Sequence, residues 1–216
     1  MNNLQDALDI FNSHATRLGL LEKHTPMVSE PVLGKHENVV SVYIESLYPT
    51  VMTEFNLGPV RYIRELKLEK TKLKERILYG KHDVLDLQYL ENQYLEVKKA
   101  IAVVYGVMTN PNSPYYDEMS ANLLIKHVNQ VRGNVMCVAN LLMPNSVIYA
   151  DVDTIFIKMD GSLTPNELTG KLTHVLNHFT PVIGSVMHPK FKVSVDKQYL
   201  DIEFTGKNEY TGTVKS

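Results

Sequence analysis

Cysteine is nearly absent from this chain, as are the long apolar runs and the charge imbalance that mark whole classes of protein. Cys137 is the one cysteine in 216 residues, so no intrachain disulfide staples the fold. It lies in the apolar stretch "NVMCVANLLM", where a buried structural thiol is expected, and its reduced state suits a cytosolic setting. No segment approaches 18 uninterrupted apolar residues, and the first 25 lack a basic region followed by an apolar core. Neither a membrane span nor a secretory leader is expected, which points to the cytoplasm. The formal net charge of −2 excludes a globally basic nucleic-acid binder, so any such surface must be a local patch. There is no internal repeat and no low-complexity tract.

What is present is ample apolar material, 44% of the residues, enough to bury a core well above the marginal size. Residues 4 to 22 place Leu4, Ala7, Leu8, Ile10, Phe11 and Leu18 at helical spacing, and a Pro- and Gly-punctuated connector follows through Lys35. "NVVSVYIESLYP", Asn38 to Pro49, reads as a strand running into a proline turn. From Pro59 to Gly80 the period becomes helical, with Tyr62, Leu66, Leu73 and Ile77 on one face. Arg64, Lys67, Lys70, Lys74 and Lys81 line another face. Residues 61 to 81 hold eight Lys or Arg against three Glu, a local excess of +5.

After "YGKHD" a second helix is expected over about Val84 to Val104, with Leu87, Leu90, Tyr94, Val97, Ile101 and Val104 as its apolar stripe. Two antiparallel helices result. Further helices are expected at Glu118 to Leu142 and at Pro165 to Phe179, the latter capped by Thr164. "KVSV" and "LDIEF" read as strands on either side of a turn "DKQ", and "TGKNEYTG" as turn sequence around Lys207 and Tyr210.

The chemistry gathers at "VIYADVDTIFI", residues 147 to 157. Burying two unpaired aspartates in a β-branched run is expensive. Side chains two apart on a strand or tight hairpin point the same way, so Asp151 and Asp153 present paired carboxylates to one side, as a hard divalent cation requires.

Three separated stretches, "YIESLYPT" (43 to 50), "KKAIAVVYG" (98 to 106) and "YADVDT" (149 to 154), then occur in an order that resembles the B-family DNA polymerases. In that family motif A reads D-x-x-S-L-Y-P-S, motif B K-x-x-x-N-S-x-Y-G and motif C Y-G-D-T-D-S, with a helical fingers hairpin between the first two. The closing "GKNEYTG" is similar to the family's K-K-x-Y element.

The resemblance implies an α+β fold: an antiparallel palm sheet with packed helices and a two-helix fingers hairpin. It divides the chain into an amino-terminal helix and connector (1–37), palm with motif A (38–58), fingers with motif B (59–106), and palm with motif C and the K-K-x-Y-like element (107–216). It implies nucleotidyl transfer at a pair of Mg²⁺ ions roughly 3.5 to 4 Å apart, bridged by carboxylates. Asp151 and Asp153 would be the catalytic metal ligands. Tyr48, with Leu47 beside it, would lie under the incoming sugar, while Lys98, Lys70 and Lys74 would face its phosphates. Lys207, Tyr210, Tyr105 and Gly106 would contact DNA. The implied partners are primer-template DNA, deoxynucleoside triphosphates, and other polymerase chains carrying the thumb and exonuclease regions, as in a split, viral polymerase working in its host's cytoplasm.

The departures concentrate at the site. Counting back from Ser46 puts Tyr43 at the motif A aspartate, and a neutral phenol cannot replace a bridging carboxylate. Glu45 lies two residues on, roughly 7 Å along the strand, and is the carboxylate whose longer side chain could reach back as the third catalytic acid. Ala102 and Val103 stand for Asn-Ser, Lys70 for the fingers arginine, Val152 for the motif C threonine, and Asn208 and Glu209 in a normally basic stretch. The alternative function is therefore a catalytically inactive palm kept as a structural or DNA-binding subunit. Taken singly, each feature also has a plainer reading: a solvated basic helix face, a surface lysine at Lys98, a core tyrosine at Tyr48. His174 and His178, four apart but without a third ligand or "HExxH", read as surface histidines.

Overall fold

The structure is a computed structural model and describes residues 25–179 and 191–215. The helix expected over residues 4 to 22 lies outside the described residues. The described chain forms two bodies, one of residues 51–125 and one of residues 25–50 with 126–215.

The first body is a helical hairpin. α1 (Leu47–Glu54) runs into it, and α2 (Val60–Tyr79) and α3 (Val84–Thr109) lie against each other. α3 starts where the Asp83 carboxylate accepts the Asp86 N–H at 2.8 Å, satisfying one of the amides a helix start leaves open. Its expected stripe is the one that turns inward: Leu90 and Ile101 are buried, and Leu87, Tyr94, Val97 and Val104 are half-buried. On α2 the buried residues are Val60, Ile63 and Leu73, whereas Tyr62, expected on the inner face, is exposed. Ile63 and Tyr62 are neighbours about 100° apart around the helix, and the purely aliphatic one takes the inner position. α3 also continues three residues past Gly106, so "YG" lies within the helix and not at its end.

The second body is a five-stranded antiparallel sheet in the order β2-β3-β1-β4-β5, formed by β1 (Gly34–Ile44), β2 (Val147–Ala150), β3 (Thr154–Lys158), β4 (Val193–Gly206) and β5 (Glu209–Val214). This is the expected α+β class. β1 stops at Ile44, earlier than expected, because Ser46 takes a left-handed backbone (φ 50°) and Leu47 begins α1. Pro49 is the third residue of that helix, where its missing N–H costs nothing. β4 runs straight through "DKQ", which is therefore not a turn. The register jumps from Ser41–Lys197 to Val42–Val195, leaving Asp196 as the extra residue of a β-bulge. The buried Ser41 hydroxyl donates to Asp196 Oδ2 and accepts the Lys197 N–H, both at 3.1 Å, and so holds the bulge.

α4 (Glu118–Leu142) and α5 (Pro165–Phe179) have the expected bounds. α5 opens with a capping box: Thr164 N–H donates to Glu167 Oε2 at 2.8 Å and Glu167 N–H donates back to Thr164 Oγ1 at 3.3 Å. It packs on β4, where Thr173 and Asn177 bond the backbone of Val193 and Phe191. Within this body α4 buries Val128, Val131, Val135 and Ala139. Cys137 lies off that stripe and is exposed, which corrects the buried thiol expected from its apolar neighbours. Among the described residues no helix is long and apolar enough to cross a membrane.

Candidate functional site

The paired aspartates occupy the turn between β2 and β3. Asp151 N–H donates to the Thr154 carbonyl at 2.9 Å and its own Oδ1 accepts the Val152 N–H at 2.6 Å, so the turn is tight and Asp151 is fixed in it. Asp151 is half-buried and Asp153 exposed. Tyr43 pairs with Thr154 across the β1–β3 ladder, immediately beside this turn. The motif A strand therefore ends alongside the aspartates, with Tyr43 at the place that counting from Ser46 assigns to an aspartate.

Glu45 is held elsewhere. Its carboxylate accepts the Ser194 hydroxyl at 2.5 Å and pairs with Lys192 Nζ at 2.8 Å, while its N–H bonds the Lys192 carbonyl. These partners lie toward β4, which flanks β1 opposite β3. The Glu45 carboxylate, principally by hydrogen bonding, raises the Lys192 ammonium above its ordinary pKa. A catalytic role for Glu45 requires those bonds to be given up. Among the described residues no three His, Cys, Asp or Glu side chains come together as a metal-binding group. Asp151 and Asp153 are the two carboxylates this turn offers a divalent ion, and a bridged pair of ions needs a further one where Tyr43 stands.

Leu47 is buried and Tyr48 half-buried in the first turn of α1. The Leu47 side chain thus belongs to the core, leaving Tyr48 as the one of the two with surface to offer a ligand.

Beneath this corner lies a residue that sequence reasoning missed. Arg132 on α4 is fully buried, and burial pulls its pKa down while Tyr48, Asp151, Asp153 and Tyr149 act to restore it. Its Nη1 donates to the Met27 carbonyl, and Asn129, one turn earlier, accepts the Met27 N–H at 2.9 Å. A charged residue four after Val128 and three before Val135, inside an apolar stripe, was the available signal.

The connector that Arg132 and Asn129 grip runs along β2. Ser29 N–H and Val32 N–H donate to the carbonyls of Ala150 and Ile148, both at 2.9 Å, and Ala150 N–H donates to Ser29 Oγ at 2.7 Å. It covers the free edge of β2 and fixes the residue that precedes Asp151.

The β4–β5 turn carries Lys207 and Asn208. Lys207 forms an ion pair with Glu30 of the connector, and Tyr149 bonds Asn208. Tyr210 packs on Phe156 and Phe204, at ring separations of 5.1 and 5.4 Å, within a cluster that includes Tyr149. Tyr210 is still partly open to solvent.

On the helical hairpin, Lys98 is exposed with its Nζ 5.8 Å from the Tyr94 ring centre, Lys70 is half-buried and Lys74 exposed. Tyr105 is half-buried and Gly106 exposed. Thr53, Glu54, Arg64, Lys67, Leu68 and Thr71 line an open groove of about 310 Å³. Burial lowers the Lys67 pKa, Glu54 raises it, and Lys70 and Arg64 lower it further. His174 and His178 are exposed, as expected.

No protein-family profile matches the chain. It is 24% identical, over 86% of its length, to DNA polymerase 2 of Aeropyrum pernix, of which it covers 26%. Its fold matches that of the family B DNA polymerase from the hyperthermophilic archaeon Pyrobaculum calidifontis, with a TM-score of 0.67 at 18% identity. That match covers 89% of this chain and 28% of the other. The resemblance to B-family polymerases carried by the motifs is thus present in both sequence and fold, and the chain spans about a quarter of the length of the polymerases it matches.

Proposed function

We propose that this chain is the palm-and-fingers part of a DNA-directed DNA polymerase that works with partner chains carrying thumb and exonuclease regions. The observation that carries the reading is the register that sets Tyr43 opposite Thr154, because it brings the motif A strand end to the Asp151–Asp153 turn. In this reading Tyr48 underlies the sugar of a deoxynucleoside triphosphate, Lys98, Lys70 and Lys74 meet its phosphates, and Lys207, Tyr210, Tyr105 and Gly106 meet primer-template DNA. Asp151 and Asp153 would hold a Mg²⁺ ion, whose chemistry is to polarise phosphoryl oxygens and lower the pKa of a bound hydroxyl. The chain's own part is to orient sugar and template around that turn.

A second reading, a palm that binds DNA without catalysis, is favoured by the Glu45–Lys192 ion pair and by the phenol at position 43. Primer extension by the chain copurified with its partners separates the two. The polymerase reading expects incorporation that Asp151→Asn abolishes. Salt-sensitive DNA binding without incorporation, weakened by charge reversal at Lys67, Lys70 and Lys74, supports the second. DNA binding indifferent to salt and to those reversals overturns both.

A further inference from the structure

Arg132 is an anomaly that the polymerase reading leaves unused. It is a fully buried guanidinium with one hydrogen bond, to the Met27 carbonyl, and its Nε and Nη2 have no hydrogen-bond partner among the described residues. A buried cation so poorly bonded persists only beside compensating negative charge. Its place in the fold supplies that charge. Arg132 and Asn129 hold Met27, Ser29 two residues on is bonded to Ala150, and Ala150 leads directly into Asp151. The groups that act to keep the guanidinium charged against its burial are the Tyr48 phenol, then the Asp151 and Asp153 carboxylates, then Tyr149, and of these the two carboxylates are the ones charged at neutral pH.

We infer that Arg132 is the resident counter-charge of the Asp151–Asp153 turn, and that it limits the turn to a single, weakly held divalent cation. Two carboxylates and one guanidinium leave this corner a net charge of −1. A first dication meets attraction from both aspartates and repulsion from the arginine; a second meets a corner already positive. Tyr43 adds no charge to offset this, and the Glu45 carboxylate is committed to Lys192 and Ser194. Arg132 is thus a positioning residue: it steadies the turn and sets how strongly a cation is drawn to it. The inference rests on the proposed placement of the cation at Asp151 and Asp153, but its test uses neither DNA nor nucleotide, so the polymerase reading can fail while this one holds.

The test is Mn²⁺ binding to the full chain, followed by electron paramagnetic resonance. Arg132→Met keeps most of the side-chain volume and removes the charge, and it should tighten Mn²⁺ binding about tenfold, the effect of deleting one nearby like charge. Arg132→Lys should stay close to the unsubstituted chain, and Arg132→Met with Asp151→Asn should lose the gain. A folded Arg132→Met chain whose Mn²⁺ affinity is unchanged or weaker overturns the inference. If Arg132→Met does not fold, Asp151→Asn alone decides. Removing one of two like-charged neighbours should ordinarily raise the urea midpoint or leave it unaltered, whereas loss of the arginine's counter-charge should lower it. A midpoint that rises or stays constant overturns the proposal.

Discussion

Tyr149 donates its hydroxyl hydrogen to Asn208 Oδ1 at 2.5 Å and accepts the Asn208 N–H at 3.2 Å, so the strand leading into Asp151 is tied to the turn between β4 and β5. β2 stands apart from β4 and β5 in the sheet order, and the bond passes across the aromatic cluster of Tyr149, Phe156, Phe204 and Tyr210. Asn208 serves twice, because its left-handed backbone (φ 59°) is one that asparagine tolerates well.

Tyr149→Phe should therefore lower stability by about 0.5–1.5 kcal/mol, the net worth of the hydrogen bonds it removes, since Asn208 is exposed and water can take the place of the phenol. Asn208→Gly keeps the turn and loses the side-chain bond, while Asn208→Ala loses both and should cost more. Urea midpoints for the three variants check the order. Equal costs for glycine and alanine would show that the backbone conformation contributes nothing.

Gly58 joins α1 to α2 at φ +70°, and a Cβ there would lie 2.5 Å from Met108 Sδ and 3.2 Å from Met52 Cε. Both the backbone and the space demand glycine. Gly58→Ala should destabilise the hairpin body by about 1–3 kcal/mol. Adding Met108→Ala removes the closest clash and leaves the backbone strain and the Met52 contact, so part of the loss relative to Met108→Ala alone should be recovered in thermal unfolding.

The elements readable in the sequence were those whose signal is local. The α3 stripe from Leu87 to Val104 and the Thr164–Glu167 capping box were legible because a helix writes its period and its start into adjacent residues. The bulge at Asp196 looked like a turn because three polar residues in a row carry the same signature in either structure. Ser46 was unreadable as the strand end, since a left-handed serine leaves no compositional mark. At the site, the aspartate pair and the Tyr43 substitution could be read directly. The bonds of Glu45 to Lys192 and Ser194, of Asn208 to Tyr149, and of Arg132 to Met27 join residues 59 to 149 positions apart, and no local pattern encodes them.

His127, half-buried on α4, has its pKa lowered mainly by burial, with Lys126 adding to the effect and Gln130 opposing it. The folded form thus takes up its proton at lower pH than the unfolded chain does. Between the ordinary value near 6.5 and the lowered one, the unfolded state binds more protons, so stability falls as pH falls through that window. Above it the contribution is fully present. Urea midpoints at pH 7.5 and 5.5 should show the loss, and His127→Gln should reduce it. A pH dependence identical in the variant would assign the loss to other histidines.

The substitution that most sharply divides the functional readings is Tyr43→Asp. Position 43 pairs with Thr154 on one side and Ser194 on the other, so an aspartate there joins the Asp151–Asp153 turn from the adjoining strand. The shorter side chain cannot extend as far as the phenol, which leaves Lys192 with Glu45. A third carboxylate should raise Mn²⁺ affinity by about tenfold or more, and under the proposed polymerase reading it should create or increase nucleotide incorporation. Glu45→Gln tests the competing assignment. With Glu45 committed to Lys192 and Ser194, that change should leave Mn²⁺ binding unaltered and lower only the stability of the β1–β4 contact. Should Glu45→Gln instead abolish incorporation as completely as Asp151→Asn, the carboxylate must swing back to the site in the assembly, and the two-ion arrangement is restored by Glu45. Incorporation that survives both Glu45→Gln and Asp151→Asn would place the reaction away from this turn altogether.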